Sequence, residues 1–174
     1  MNPFSEIKEI KPAKKNDLGN GIKAFDKVLK DVSEIKHLTT IREDLEGKTY
    51  PGTNVLYKLH RFRLEGQKVE GVFPVFESKF DTCLPKDLWR ASDNDQFKAC
   101  TKRLQQKIEK NPEFAKNFTP RQLEQIKNGE PRIGGLTWHH NEIPGKMQLV
   151  KADIHATAKH TGGKSLWGGG NECR

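Results

Sequence analysis

Four of the six histidines in this chain fall between positions 139 and 160, under a seventh of its 174 residues. They are the adjacent pair His139-His140, then His155, then His160. Imidazole is the commonest side-chain metal ligand, and its ordinary pKa near 6.5 also suits a general base at neutral pH. Nothing else in the chain gathers such groups. The three cysteines, Cys83, Cys100 and Cys173, lack metal-type spacing, and an odd count excludes a complete disulfide framework. They read as free thiols of a reducing compartment; a Cys83–Cys100 bridge is compatible with the spacing but unneeded. Structural zinc sites mostly combine Cys with His, so a cluster of histidines alone points away from a purely structural role. His37 and His60 lie outside the cluster and read as ordinary surface or core residues.

The histidines need elements to hold them, and the sequence around them is legible. Residues 135–140 suit a strand, Asn141 to Gly145 a turn, and Met147 to Val150 a second short strand. Residues 152–160 suit a short helix that Thr161-Gly162-Gly163 ends. On a regular strand His139 and His140 point to opposite faces, so both serve one cleft only if the strand end twists. On a helix His155 and His160 are roughly 140° apart. They converge only if the helix stops near Lys159. Trp138 reads as a packing residue behind the site, with base stacking as the alternative. Gly162, Gly163 and Gly168-Gly169-Gly170 suit either a flexible tail or a close backbone approach to phosphate.

Upstream, residues 1–20 are lysine-rich and poor in apolar residues, as in a linker. The spacing of Ile22, Phe25, Val28, Leu29, Val32, Ile35 and Leu38 predicts an amphipathic helix or helix pair over 21–45. Alternation through Val55, Tyr57, Phe62 and Leu64, the turn Glu65-Gly66-Gln67, and Val69, Phe73, Val75 and Phe76 predict a β-hairpin within 48–82. Pro51, Pro74 and Pro85 limit its strands and put at least one at an edge. Ser92 caps a helix over 92–110 with the stripe Phe97, Cys100, Leu104, Ile108; its other face carries Lys98, Lys102, Arg103, Lys107 and Lys110, a solvated face or a phosphate-contacting one. Thr119-Pro120-Arg121-Gln122 is a helix start and Asn128-Gly129 its stop.

The formal net charge is +8, with 31% charged and 33% apolar residues. No run approaches the roughly 20 apolar residues of a membrane span, and Met1-Asn2-Pro3-Phe4 lacks the layout of a signal peptide. The charge alone admits nucleic acid, a membrane surface or an acidic protein as partner. Residues 131–174 carry a net +3 around the four histidines, which favours a phosphate-attracting field.

The run Thr137-Trp138-His139-His140-Asn141-Glu142, with Gly145-Lys146-Met147-Gln148-Leu149-Val150, Ile154-His155, His160-Thr161-Gly162-Gly163 and Ser165-Leu166-Trp167-Gly168-Gly169-Gly170, closely resembles the WHH-type nucleases of the HNH/endonuclease VII, or His-Me finger, superfamily. These are C-terminal toxin domains of bacterial polymorphic toxins, of LXG or contact-dependent inhibition type. Gly66-Gln67-Lys68-Val69-Glu70-Gly71-Val72-Phe73-Pro74, Phe80-Asp81 and Leu84-Pro85 extend the likeness, which covers about 48–174; residues 1–47 are left as a junction region with an amphipathic helix. The resemblance implies an α+β fold: a ββα-metal core over about 134–163, preceded by a β-hairpin and several helices. It implies His140 as general base and His139, His155 and His160 as ligands of one divalent ion (Mg, Mn, Zn or Ni), although the wide 155–160 spacing leaves one of that pair open as a phosphate contact. The central Asn that steadies the loop in HNH sites has no direct match; Gln148 is the first candidate and Asn141 the second.

A metal-dependent endonuclease toxin follows, acting on DNA by superfamily analogy. An RNase with the same site and a non-catalytic, metal-stabilised nucleic-acid-binding module are the alternatives. Arg132, Lys146, Lys151, Lys159 and Lys164 flank the motif as candidate phosphate contacts or as solvated bases. A toxin of this kind implies a cognate immunity protein, acidic to suit the basic chain. It also implies export or delivery within a larger protein and action in the target-cell cytoplasm.

Overall fold

The computed structural model describes residues 22–24, 26 and 34–173. The chain divides into Met1–Ile35 and Lys36–Arg174, and both sheets and every candidate site residue belong to the second unit. The linker expected over 1–20 and most of the helix expected over 21–45 lie outside the described residues, although Ile22–Ala24 and Asp26 are helical. Beyond Glu34 the helical expectation is corrected. Lys36–His37 form a short strand, β1, parallel to Val69 and Glu70, and Glu43–Leu45 form a single 3-10 turn. The β-branched run Thr39-Thr40-Ile41 resists helix, and pairing supplies what a helix would have: Leu38 N–H donates to Glu70 O at 2.7 Å and Thr40 Oγ1 to Val72 O at 2.8 Å.

The fold is α+β. The hairpin of β2 (Leu56–Leu64) and β3 (Gln67–Val75) is antiparallel in unbroken register from Leu56↔Val75 to Leu64↔Gln67. Its two-residue turn takes positive φ at both Glu65 (50°) and Gly66 (84°), the geometry whose twist matches a hairpin. With β1 the sheet order is β1-β3-β2. Pro74 sits on β3 well past the two residues that β1 covers, so its missing N–H leaves no β1 partner unpaired.

The second sheet runs β4 (Ser78–Cys83), β6 (Lys146–Lys151), β5 (Leu136–His140), antiparallel throughout. Helix α1 (Asp93–Lys110) packs its Cys100 and Leu104 stripe against this sheet. Its cap is Ser92, whose side chain accepts from Asp95 N–H. Helix α2 (Pro120–Lys127) starts with a reciprocal capping box between Thr119 and Gln122. One core joins Cys100, Leu104, Phe118, Ile126, Trp138, Met147, Leu149 and Trp167; a second joins Leu45, Val55, Tyr57, Val72, Phe76, Val150 and Ala158. Strand β6 therefore feeds both cores. Trp138 is buried, donating to Thr101 Oγ1 at 3.3 Å. The three cysteines are free thiols.

After β6 come two short helices, α3 (Ala152–Thr157) and α4 (Gly163–Leu166). The helix expected over 152–160 is shorter than the sequence suggests. Ala158 leaves helical geometry at ψ 91°, so His160 lies beyond α3 rather than on it. No helix among the described residues is long and apolar enough to cross a membrane.

Candidate metal centre and active site

Strand β5 delivers the two adjacent histidines to different surroundings, as alternation requires. His139 turns toward α3 and the segment after it. One nitrogen from each of His139, His155 and His160 lies within 4.8 Å of the others, and the three ring centroids are 5.0–5.1 Å apart. The early end of α3 is what allows this: the five-residue spacing fails on a helix but works once the chain turns at Ala158. The turn is held from outside. Tyr57 on β2, itself fully buried, donates its hydroxyl to Lys159 O at 2.7 Å, and Ile41 N–H donates to Thr161 Oγ1 at 2.9 Å. Phe76, just past β3, stands against all three rings at 4.9–5.3 Å. One wall of the cluster is thus an apolar ring that excludes water.

Burial keeps these imidazoles neutral. It drives His155 from 6.5 down to about 4, with the neighbouring His160 adding to the effect. It holds His139 well below its ordinary value, helped by the charges of His160 and His155. His160 is also lowered, because burial outweighs its bond to Ala158 O and the nearby charge of Glu142. Neutral rings keep lone pairs, which is what a metal needs.

The donor set fits a divalent ion on two observations. His160 Nδ1 donates to Ala158 O at 2.6 Å, so Nε2 carries its lone pair. His139 Nδ1 and His155 Nε2 are 3.1 Å apart, close to the separation of two nitrogens that each bind one ion at about 2.0–2.1 Å. Three neutral imidazoles suit zinc, nickel or a similar borderline ion.

His140 has a different set of neighbours: Gln96 on α1, whose Oε1 lies 2.7 Å from His140 Nε2, and the rings of Phe97 and Trp167 at 5.8 and 5.5 Å. Lys164 on α4 is buried here as well. Its ammonium lies 2.8 Å from Asp93 Oδ1 and donates to Cys173 O at 2.9 Å. Asp93 Oδ1 is in turn 4.0 Å from His140 Nε2.

Gln148 pairs with His139 across the β5–β6 ladder. Its amide donates to both Asp81 oxygens at 3.2 and 3.3 Å, and its Oε1 accepts from Asn141 Nδ2 at 3.0 Å. Asn141 Oδ1 accepts from Ile143 N–H at 3.1 Å. The two candidates for the loop-steadying amide therefore touch, and form one chain from β4 through β6 into the turn. Beside it Glu142 is buried, with its carboxylate bonded to His60 of β2.

The flanking bases differ in setting. Arg132, Lys151 and Lys159 are exposed. Lys151 borders an open cavity of about 830 Å³ together with Lys79 and Lys116. Lys146 is half-buried and pairs with Asp81 at 3.2 Å. Lys164, unlike the others, faces inward.

Sequence reasoning missed Phe76, Tyr57, Gln96 and the His60–Glu142 pair. Three of these side chains come from the hairpin region and one from α1, up to about a hundred residues from the histidines. Their approach depends on tertiary packing. The nearest clue was polarity: Gln96 breaks the apolar pattern of a helix that the cap at Ser92 already placed.

Residues 65–162, more than half of the chain, match the family described as the DNase/tRNase domain of colicin-like bacteriocin. No curated protein and no solved structure matches the chain. The chain belongs to this family, and is accordingly a nuclease domain of toxin type with DNA or tRNA as its class of substrate.

Proposed function

We propose that this colicin-like nuclease domain is a metal-dependent endonuclease of WHH type, with a His-Me finger core over about residues 134–163 inside a nuclease domain of residues 48–174. The observation that carries the reading is the convergence of His139, His155 and His160 as neutral imidazoles around one point. These three residues would hold one divalent ion. When bound, that ion supplies Lewis acidity to the scissile phosphate and stabilises the leaving oxygen.

The chain's own residues do the rest. His140 accepts the proton of the attacking water, which an imidazole does well near neutral pH. Gln148 holds the turn after β5 through Asn141 and keeps His139 and His140 in register. Lys146, Lys151, Lys159 and Arg132 draw in the phosphate backbone, so binding weakens steeply with salt. Lys164 acts from inside, supporting the surroundings of His140.

DNA is the preferred substrate on superfamily resemblance. Cleavage of tRNA is the second reading, because the family covers both. The chain would be the toxic end of a larger polymorphic toxin of LXG or contact-dependent inhibition type, delivered into the cytoplasm of a competing cell. A cognate immunity protein, acidic to match a chain of net charge +8, would protect the producer. Co-purification with the product of the neighbouring reading frame tests that partner.

The deciding experiment incubates the purified chain with plasmid DNA and with total RNA in Mg, Mn, Zn, Ni or EDTA, beside His140→Ala. Metal-dependent cleavage by the parent and loss in a folded, metal-binding His140→Ala protein are expected. Equal cleavage by both would sink the assignment of the base. Metal-dependent folding with no cleavage of either polymer would favour the binding module.

A further inference from the structure

Gln96 lies in the middle of the α1 N-terminal turns with no solvent exposure, and every polar atom of its amide is engaged. Its Nε2 donates to Leu88 O at 2.8 Å and to Trp89 O at 2.6 Å. Those two carbonyls fix which end of the amide is which, because the reversed amide would set Oε1 against two acceptor oxygens. Oε1 is thereby aimed at His140 Nε2, at 2.7 Å, with Lys164 Nζ donating to the same oxygen at 3.3 Å.

An amide oxygen only accepts. The hydrogen of the neutral His140 ring must then sit on Nε2, and its lone pair on Nδ1. We propose that Gln96 is a positioning residue for the nuclease site: it selects the Nε2–H tautomer of His140 and anchors the ring, so that Nδ1 is the nitrogen that receives the proton of water. This rests on His140 being the base.

The arrangement is over-determined. Leu88 and Trp89 belong to the segment leading into α1, and Trp89 is pinned by its own indole N–H to Leu84 O at 3.1 Å. Lys164 carries its charge against Asp93, whose Oδ1 lies 2.8 Å from the ammonium. The surroundings of Nε2 therefore hold one amide oxygen, one carboxylate and one ammonium, with the two charges balanced against each other. Gln96 Oε1, which faces Nε2 at hydrogen-bond distance, is neutral. An orienting carboxylate in the same place would favour the imidazolium; an amide oxygen orients without that bias.

The test is nuclear magnetic resonance of the full chain with 15N-labelled histidine. Long-range 1H–15N correlations distinguish the two tautomers, at a pH about two units above the ordinary histidine value of about 6.5. His140 is assigned by comparison with His140→Ala. The Nε2–H form is expected in the parent. In Gln96→Leu the Nδ1–H form should become populated and kcat should fall about 100-fold, the lower end of what a general base contributes, with KM and metal affinity within about twofold. A parent protein in the Nδ1–H form overturns the proposal whether or not the variant folds, and so does an unchanged tautomer in Gln96→Leu. Cleavage retained by His140→Ala would instead remove the base assignment on which the proposal stands.

Discussion

The depressed histidines make the fold acid-sensitive in a defined window, and His155 gives the magnitude. In the unfolded chain its imidazole titrates at its ordinary 6.5; in the fold it titrates at about 4, chiefly because it is buried. Above pH 6.5 both states are neutral and the fold keeps its full stability. As the pH falls, the unfolded chain takes up a proton that the folded chain refuses, so stability is lost between about 6.5 and 4. At about 1.4 kcal/mol per pH unit, His155 alone removes about 2 kcal/mol by about pH 5 and about 3 kcal/mol below pH 4. His139 and His160 are lowered too and act in the same direction. His37, raised mainly by its hydrogen bond to Glu43, acts in the opposite sense but is exposed and remote from the cluster. The perturbation is His155→Gln, which removes the titrating ring and leaves His37 in place. Urea unfolding of the metal-free chains in EDTA, at several pH values from 7 to 5, is the assay. The parent should lose about 2 kcal/mol more than the variant over that span. Parallel losses in the two proteins would refute the claim that burial at the cluster sets the acid limb.

Metal affinity should begin to fall only below the ordinary histidine value of 6.5, because protons compete with the ion near the lowered values of the three rings; calorimetric titration across pH checks this, and a decline already centred on 6.5 would contradict it. Tyr57→Phe removes the bond to Lys159 O, and should cost about 1 kcal/mol of stability together with a measurable loss of metal affinity, read by thermal melts with and without the ion. His60→Ala strips the partner from the buried Glu142 carboxylate and should destabilise the chain by about 2 kcal/mol in urea. Gly163→Ala would place a Cβ 1.9 Å from Asn141 O and 2.4 Å from Trp167 Nε1, so circular dichroism and melting should show a badly destabilised protein or none.

Much of this fold is written locally. The Glu65-Gly66 turn, the Ser92 cap and the Thr119/Gln122 capping box each involve residues two to four apart, and each forms where its chemistry places it. The ββα unit was legible for the same reason: strand, Gly-ended turn, strand and helix lie within about thirty residues. What failed was non-local. The spacing of Ile35 and Leu38 looked helical, but β3 offered an edge and the chain paired with it. His60 looked ordinary because its partner Glu142 is 82 positions away. The end of α3 was ambiguous because the stop comes from Tyr57, a hundred residues upstream, as well as from the local sequence.

The alternation of β5 explains why so many distant residues are needed. Alternation turns the side chains of His139 and His140 to different surroundings, so the protein gives each its own set of supports. The hairpin and its exit, through Tyr57 and Phe76, hold the turn beyond α3 and wall the three-histidine cluster. Helices α1 and α4, through Gln96, Asp93 and Lys164, enclose His140. Gln148 and Asn141 tie the strand end to the turn between these two settings. Under the proposed mechanism the two sets answer to different measurements. Losing a support on the hairpin side should move metal affinity, and losing one on the α1 side should move turnover. Because Tyr57 and Gln96 lie on different elements and bond to different groups, the carbonyl of Lys159 and the ring of His140, their free-energy effects should add. A strong coupling between Tyr57→Phe and Gln96→Leu would mean that the two faces of β5 work as one unit, and that the ring of His140 depends on the geometry of the metal cluster.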